Sequence, residues 1–320
     1  MGIPNKPIPL LAILTIPLII IIIMIQTVNS TNEIAVTFEN FENDYEIELE
    51  GDASLSSNKE VQLTKINPAN GNPLPQSVGR LSYATPIRLW DKTTGEVANL
   101  TTVFKFLIKA PYNTPPADGL AFFIAPHDAT LPPDSHGSLL GLFPGPPGEI
   151  RTNNIVAVEF DTFTNHGYQD PDYKHIGIDV NSIVSEATTE WKYWRNGVTE
   201  KVRVEYNPYT KKLTVSAYYT SGEIIKLSHS IDLTTVLPEW VKVGFSGATG
   251  DYTQTNSIQS WFLHAKLVTV DSASLSLSFT GHHRRLLASS HCRLVANQSH
   301  RRHRILFTTA GSSTRTLIIT

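Results

Sequence analysis

Residues 156–185 read VAVEFDTFTNHGYQDPDYKHIGIDVNSIVS and contain two short β-type runs joined by a polar loop. Side chains alternate between the two faces of an extended strand, so the apolar residues of the first run share one face. Glu159 and Asp161 lie on the opposite face, and His175 opens the second run. The stretch therefore predicts a strand–loop–strand unit with an acidic face next to an imidazole.

This unit offers five oxygen or nitrogen ligands for a metal ion. Three carboxylates, one amide and one imidazole are too rich in oxygen for a structural zinc site. Carboxylate oxygens suit Ca²⁺, and carboxylates with one histidine suit an octahedral ion such as Mn²⁺. From the spacing alone, an ordinary polar face of an edge strand with a core histidine is an open alternative. The candidate ligands are Glu159, Asp161, Asn165, Asp170 and His175.

The chain from Ile34 onward consists of short β-type runs separated by turn residues. Runs such as Thr102–Ile108 and Val241–Phe245 alternate with turns such as Asn70-Gly71 and Asn196-Gly197. No convincing helical period interrupts them. This pattern predicts an all-β fold of the sandwich or jelly-roll type.

The composition excludes several classes of protein. The chain has 320 residues, of which 41% are hydrophobic, and this is enough for a sizeable core. The formal net charge of −3 argues against nucleic acid as the main partner. Because Cys292 is the only cysteine, a disulfide framework and a cysteine-rich zinc site are both excluded.

The charge is divided unevenly along the chain. Residues 272–320 contain seven arginines, five of the eleven histidines and no Asp, Glu or Lys. Residues 1–271 hold the other 19 basic residues and all 29 acidic ones, a net charge of −10. We predict that residues 272–320 form a basic tail, disordered or processed, outside a domain of residues 31–271. A mis-spliced or frameshifted reading frame is an open alternative for the tail.

The N-terminus has the sequence pattern of a targeting signal. The apolar run Leu10–Ile25 has 16 residues, whereas a transmembrane helix needs about 20. With Lys6 before it and Ser30 after it, the run predicts a signal peptide over residues 1–30. We therefore expect a mature chain without membrane insertion, located outside the cell or in a vacuole or protein body. In that pathway Asn99 and Asn297 are N-glycosylation acceptors.

Residues 156–185 closely resemble the metal-binding signature of the legume lectin family, V-A-V-E-F-D-T-F-x-N, D-P and H-I-G-I-D-V-N-S-I-x-S. The resemblance covers roughly Val36–Leu267. It implies a legume-lectin jelly-roll β-sandwich of antiparallel sheets. It also implies reversible glycan binding without catalysis, and assembly as a homodimer or homotetramer. The other matching segments are Thr85–Ala98, Ala117–Pro126, Leu139–Phe143 and Val243–Gly250.

The resemblance assigns metal-binding roles to residues that match the signature. It implies a Mn²⁺ ion and a Ca²⁺ ion side by side, with two carboxylates shared between them. The implied ligands are Glu159 and His175 for Mn²⁺, Asp161 and Asp170 for both ions, the Phe163 carbonyl and Asn165 side chain for Ca²⁺, and Ser185 through a Mn²⁺-bound water.

The same resemblance implies a sugar pocket. Asp118 would accept hydrogen bonds from two sugar hydroxyls after a cis peptide with Ala117, and Asn165 would donate its amide N–H. Phe163 would present its ring to the apolar face of the sugar. Gly250, Asp251 and Tyr252 would also bind the sugar, and the length of the loop that contains them slightly favours mannose or glucose over galactose.

Ser138 departs from the family pattern. The family usually has Gly-Gly at positions 137 and 138, and the second glycine donates its backbone N–H to the sugar. We expect the N–H of Ser138 to replace it, but with a Cβ in the pocket and a cost if φ must be positive. A lectin-like defence or storage protein with impaired sugar binding is therefore the alternative function.

An enzyme is the other class that we considered. Glu159-x-Asp161 on a β-sandwich also resembles laminarinase-type glycosidases, which need a second glutamate as the acid. Phe163 and Thr164 occupy the positions where that glutamate should be. The sequence therefore predicts a protein that is not an enzyme.

Overall fold

Two units make up the chain, residues 1–270 and residues 271–320, and each is described by itself. In the first unit, the described residues lie between positions 32 and 270, so the predicted signal peptide falls outside them. Among the described residues, no helix has the length and hydrophobicity needed to span a bilayer. The computed structural model describes residues 32–42, 44–144, 154–270, 303–308 and 314–319.

Two long strands, β7 (Glu96–Lys109) and β16 (Thr255–Thr269), lie side by side in one eight-stranded sheet. Side chains of β7 alternate between buried and less buried positions, as expected when one face of a sheet covers the core. All pairings in this sheet are antiparallel. Its other strands are β1 (Glu33–Phe38), β3 (Ser54–Leu55), β4 (Val61–Gln62), β12 (Thr199–Asn207), β13 (Lys212–Tyr218) and β14 (Ile224–Ser230).

The second eight-stranded sheet holds β9 (Val156–Asp161) between β8 (Gly119–Pro126) and β10 (His175–Val180). Every residue of β9 is buried. A single covered face would bury only alternate residues, so both faces of β9 are covered. This sheet is antiparallel too. Its other strands are β2 (Ile47–Gly51), β5 (Ser77–Tyr83), β6 (Ile87–Arg88), β11 (Ala187–Glu190) and β15 (Trp240–Thr249).

Aromatic side chains fill the space between the two sheets. Phe104 of β7 lies 4.8 Å from Phe245 of β15, measured between ring centroids, and 6.1 Å from Phe122 of β8. A smaller apolar cluster, which includes Phe123 and Leu140, covers the other face of the second sheet. The only α-helix among the described residues is the single turn Leu233–Val236. The predicted all-β jelly-roll sandwich of antiparallel sheets is confirmed.

The second unit contains an antiparallel hairpin, formed by β17 (His303–Thr308) and β18 (Thr314–Ile319). The remaining positions of the predicted tail lie outside the described residues. Disorder or processing of residues 272–320 therefore stays a prediction.

Candidate functional site

Strand register brings distant parts of the sequence to one end of the second sheet. Gly119, at the start of β8, pairs with Asp161 at the end of β9, and Asp161 pairs with His175 at the start of β10. Ala248, near the end of β15, pairs with Gly119 at the same end. The loops before β8, after β9 and after β15 therefore meet there.

Glu159, Asp161 and His175 form a buried cluster at this end. Their ligand atoms all lie within 4.8 Å of one another. Their exposed fractions are 2%, 7% and 1%, so water contributes almost nothing to stabilising the charges. His175 Nε2 lies 2.9 Å from Glu159 Oε1, and His175 Nδ1 has no hydrogen-bond partner among the described residues. This donor set can hold a divalent cation.

The loop after β9 folds back onto the cluster. The backbone N–H of Phe163 donates to Asp161 Oδ1 at 2.6 Å. The backbone N–H of Asn165 donates to Asp170 Oδ2, also at 2.6 Å. Asp170 lies close enough for its charge to act on Asp161, although it is not one of the three clustered residues. The structure thus brings the predicted loop ligands next to the predicted strand ligands.

Ionised carboxylates in the cluster are costly without a cation, because the site is buried and the carboxylates repel one another. Burial, together with the charges of Glu159 and Asp170, raises the pKa of Asp161 well above its ordinary value. Burial also raises the pKa of Asp170. Burial alone would lower the pKa of His175, but its hydrogen bond to Glu159 and the nearby charges outweigh burial and raise it. A bound divalent cation would remove this penalty by neutralising the carboxylates.

Asp179 is part of the same site, and the sequence analysis missed it. Ser185 Oγ lies 2.7 Å from Glu159 Oε1 and 2.6 Å from Asp179 Oδ1. Asp179 is fully buried, and its Oδ2 has no partner among the described residues. Burial and the charge of Glu159 raise its pKa well above the ordinary value. Strand alternation in HIGIDV places Asp179 on the same face as His175, so the signal was present.

Gly177 makes room for this arrangement. It pairs with Glu159 across β9 and β10. A Cβ at position 177 would overlap both Ser185 Oγ and Glu159 Oε1. No other residue type can therefore occupy this position while Ser185 and Glu159 keep their places.

Asp118 occupies a second pocket at the same end of the sheet. The Ala117–Asp118 peptide is cis, as the resemblance implied. The Asp118 carbonyl accepts hydrogen bonds from the N–H of Thr162 at 2.9 Å and from its Oγ1 at 2.8 Å. The Asp118 N–H donates to the Ala248 carbonyl at 3.2 Å. Loops after β9 and β15 therefore fix the backbone of Asp118 from both sides.

Two glycines leave the Asp118 carboxylate open. A Cβ on Gly250 would lie 3.0 Å from Asp118 Oδ2 and 3.4 Å from the Cα of Gly137. Asp118 is only 6% exposed, and its Oδ2 has no hydrogen-bond partner among the described residues. Burial raises the pKa of Asp118 to about 7, the N–H of Gly250 opposes this shift, and the charge of Asp251 adds to it. A buried oxygen without a partner is well suited to accept a hydrogen bond from a ligand.

Two aromatic rings lie together in the loops that meet at this end. The ring centroids of Phe163 and Tyr252 are 5.5 Å apart, at an interplanar angle of 36°. Tyr252 is 44% exposed, so the pair offers an apolar surface to a ligand.

Comparison with known proteins identifies the family. Residues 33–277 match the Legume lectin domain. The chain is 47% identical to the mannose/glucose-specific lectin of Centrolobium tomentosum over 242 residues, which are 74% of this chain and 98% of the relative. The chain belongs to the legume lectin family. Its membership confirms a carbohydrate-binding lectin, and the glycosidase alternative is abandoned because the relatives are lectins.

Solved structures of other legume lectins share the fold of this lectin. The winged bean acidic lectin, complexed with methyl-α-D-galactose, is 42% identical, with a TM-score of 0.67 over 74% of this chain and 100% of that one. Lectin I-B4 of Griffonia simplicifolia, in a metal-free form, is 41% identical, with a TM-score of 0.68 over 73% of this chain and 100% of that one.

A positive φ at Ser138, and with it the expected backbone cost, does not occur in this lectin. Gly137 adopts the left-handed conformation, with φ of 66°, whereas Ser138 is not among the residues with positive φ. The short turn Gly137–Leu139 begins with glycine, so the conformation that only glycine adopts easily falls one residue earlier. Ser138 therefore keeps its backbone N–H without backbone strain.

Arg80 anchors the loop that carries Ser138, and sequence reasoning missed it. The guanidinium Nε donates to the Gly141 carbonyl at 2.9 Å, and the guanidinium carbon lies 5.0 Å from the centroid of the Phe123 ring. Ser246 Oγ donates to the Leu140 carbonyl at 2.6 Å. Burial lowers the pKa of Arg80 to about 10, which leaves it charged at neutral pH. The loop is thus fixed to the outer face of the second sheet.

Asp118 will destabilise the metal-free lectin as the pH rises from about 4 to about 7. Asp118 has an ordinary pKa of 3.8 and a folded-state pKa of about 7, so the unfolded chain releases its proton first. The contribution of Asp118 to the free energy of unfolding is therefore fully present below about pH 4. It is lost as the pH rises toward 7, a change of about 4 kcal/mol. Urea unfolding at several pH values, with and without Ca²⁺ and Mn²⁺, measures the effect.

Comparing the metal-free and metal-loaded proteins separates the contribution of the site from that of other buried carboxyl groups. Burial also raises the pKa of Glu200 to about 7, but Glu200 is not part of the cluster and contributes equally with and without metal ions. The pH-dependent loss should be smaller in the metal-loaded protein. Equal pH dependence in the two forms would contradict this prediction.

Proposed function

We propose that this lectin binds a mannose- or glucose-type sugar reversibly, in a pocket around Asp118 that Ca²⁺ and Mn²⁺ organise. One observation carries the proposal: Asp118 Oδ2 is buried, has no partner among the described residues and lies between Gly137 and Gly250. A carboxylate in this position can accept hydrogen bonds from hydroxyl groups, and it rejects ligands that leave it unpaired.

The residues of the cluster fit the two ions. Oxygen donors dominate, and one imidazole is present, which suits Ca²⁺ and Mn²⁺ better than zinc. When bound, the ions would neutralise the carboxylates and tie the loop after β9 to β9 and β10. In this proposal Glu159 and His175 would hold Mn²⁺, Asp161 and Asp170 would serve both ions, the Phe163 carbonyl and Asn165 side chain would hold Ca²⁺, and Ser185 would hold a water on Mn²⁺.

The sugar contacts follow from the residues around the pocket. Asp118 accepts hydrogen bonds from two hydroxyls, while the amide of Asn165 and the backbone N–H of Ser138 donate to the sugar. The rings of Phe163 and Tyr252 face its apolar side. The unstrained backbone of Ser138 gives no support to the alternative of a lectin-like protein with impaired binding.

The choice of sugar rests on the length of the loop after β15 and on relatives. The Centrolobium tomentosum relative is mannose/glucose-specific, and this supports the same preference here. The winged bean lectin, which binds methyl-α-D-galactose, makes galactose the alternative. The sugar-binding residues named above suit either sugar.

The remaining proposals concern the life of the chain in the cell. The apolar N-terminal run supports entry into the secretory pathway and a final location outside the cell or in a vacuole. Asn99 is exposed on β7 and can carry an N-glycan, whereas Asn297 lies outside the described residues. A homodimer or homotetramer would add multivalency to single sites of modest affinity.

A glycan array tests the sugar class. The metal-loaded lectin should bind glycans with terminal mannose or glucose, and free methyl-α-D-mannoside should inhibit this binding better than methyl-α-D-galactoside. Stronger inhibition by the galactoside would show that galactose is the preferred sugar. Binding to no glycan on the array would contradict the proposed function.

A further inference from the structure

Gln76 contacts the loop after β15, although it belongs to no motif of the family signature. Its Nε2 donates to Asp251 Oδ1 at 3.0 Å, across 175 residues of sequence. Its backbone N–H donates to the Gly250 carbonyl, also at 3.0 Å. One residue thus holds two consecutive residues of the loop, one through its side chain and one through its backbone.

The segment around Gln76 is built to make these contacts. Gln76 has a φ of 53°, a conformation that residues other than glycine rarely adopt. On one side of it, the Leu74 carbonyl accepts a hydrogen bond from Thr249 Oγ1 at 2.8 Å. On the other side, the Ser77 N–H donates to Thr249 Oγ1 at 3.2 Å. Four hydrogen bonds therefore connect residues 74–77 to residues 249–251.

Asp251 lies between two residues that line the pocket. Gly250, the residue before it, lies against the Asp118 carboxylate and Gly137. Tyr252, the residue after it, packs on Phe163. Asp251 is exposed, so its side chain would move freely without a partner. The hydrogen bond from Gln76 restrains its carboxylate.

We propose that Gln76 is a positioning residue that sets the sugar preference of the pocket by fixing Asp251 and Gly250. This inference rests on the proposed function, because it needs a sugar in the Asp118 pocket. Gln76 itself does not touch the sugar. It keeps the loop in the one position in which hydroxyls of a preferred sugar find their partners.

The variant Gln76→Gly distinguishes the side-chain hydrogen bond of Gln76 from its backbone hydrogen bond. Glycine adopts a positive φ easily and keeps the N–H that bonds Gly250, so only the amide contact with Asp251 is lost. Asp251→Ala removes the other partner of the same hydrogen bond. Gln259→Ala is the control, because Gln259 Nε2 of β16 donates to Oε1 of Glu60, the residue before β4, at 3.0 Å in the same kind of bond.

The measurement is the ratio of the dissociation constants for methyl-α-D-mannoside and methyl-α-D-galactoside, with Ca²⁺ and Mn²⁺ present. We expect Gln76→Gly and Asp251→Ala each to shift this ratio toward unity by at least about five-fold, and the double variant to shift it no further. The Gln259→Ala control should keep the wild-type ratio. Such non-additivity is expected only if the two residues act as a unit.

Other outcomes overturn the inference. An unchanged ratio in Gln76→Gly, an equal loss for both sugars, or additive shifts in the double variant would each show that Gln76 does not set preference through Asp251. If the wild-type lectin binds these sugars, the proposed function survives such a result. If the wild type binds no sugar at all, both the proposed function and this inference fall.

Discussion

Asp118→Asn will weaken sugar binding by at least about 100-fold while the fold and the metal cluster remain intact. The carboxylate of Asp118 is 6% exposed, and its Oδ2 has no partner among the described residues. Each hydrogen bond to a charged group contributes about 1.5–3 kcal/mol, and two sugar hydroxyls would lose theirs. An amide also presents N–H groups where the sugar presents O–H donors. Calorimetric titration of methyl-α-D-mannoside into the metal-loaded variant measures the loss.

A second buried aspartate provides the control for this substitution. Asp91 is 7% exposed, and its Oδ1 accepts a hydrogen bond from the Thr93 N–H at 2.7 Å, in the turn before β7. Asp91→Asn should bind the sugar as the wild type does. If Asp118→Asn keeps its affinity within ten-fold of the wild type, Asp118 does not hold the sugar.

Gly177→Ala will strongly lower the affinity of the site for its metal ions and, with it, the affinity for the sugar. The new methyl group would overlap Ser185 Oγ and Glu159 Oε1, so at least one of these side chains must leave its place. Displacing residues that support metal ligands typically lowers metal affinity by about 10–100-fold. Elemental analysis of the dialysed protein should find Ca²⁺ and Mn²⁺ strongly depleted, with far-ultraviolet circular dichroism unchanged.

A glycine in the neighbouring loop gives a stringent control. Gly167 has no atom within 4 Å of the Cβ that alanine would add. Gly167→Ala should retain both ions and the sugar affinity. Full retention of metal by Gly177→Ala would show that the cluster is not where the ions bind.

The metal cluster was predictable because it is largely local in sequence. Glu159, Asp161 and His175 belong to two strands joined by one loop, and antiparallel pairing of such strands places Asp161 opposite His175. Asp179 could have been found by the same alternation. It contacts Glu159 only through Ser185, however, and this indirect contact has no sequence motif. The all-β fold followed from the regular spacing of turns and short runs.

The proposed sugar pocket was harder to predict from the sequence. Asp118 reaches the cluster only through the register of β8 against β9, which no local pattern reveals, and it was found through the family resemblance. The backbone strain considered for Ser138 does not arise, because the neighbouring residue Gly137 takes the positive φ. Gln76 and Arg80 act across long sequence distances through hydrogen bonds to backbone and side-chain oxygens, and such contacts have no signature in a single sequence.

The measurement that tests the central claim most directly is calorimetric titration of methyl-α-D-mannoside into the wild-type lectin in three states: metal-loaded, treated with a chelator, and reconstituted with Ca²⁺ and Mn²⁺. If metal ions at Glu159, Asp161 and His175 organise the Asp118 pocket, binding is present in the first state, absent in the second and restored in the third. Binding of equal affinity in the chelated and loaded states would contradict a metal-organised sugar site.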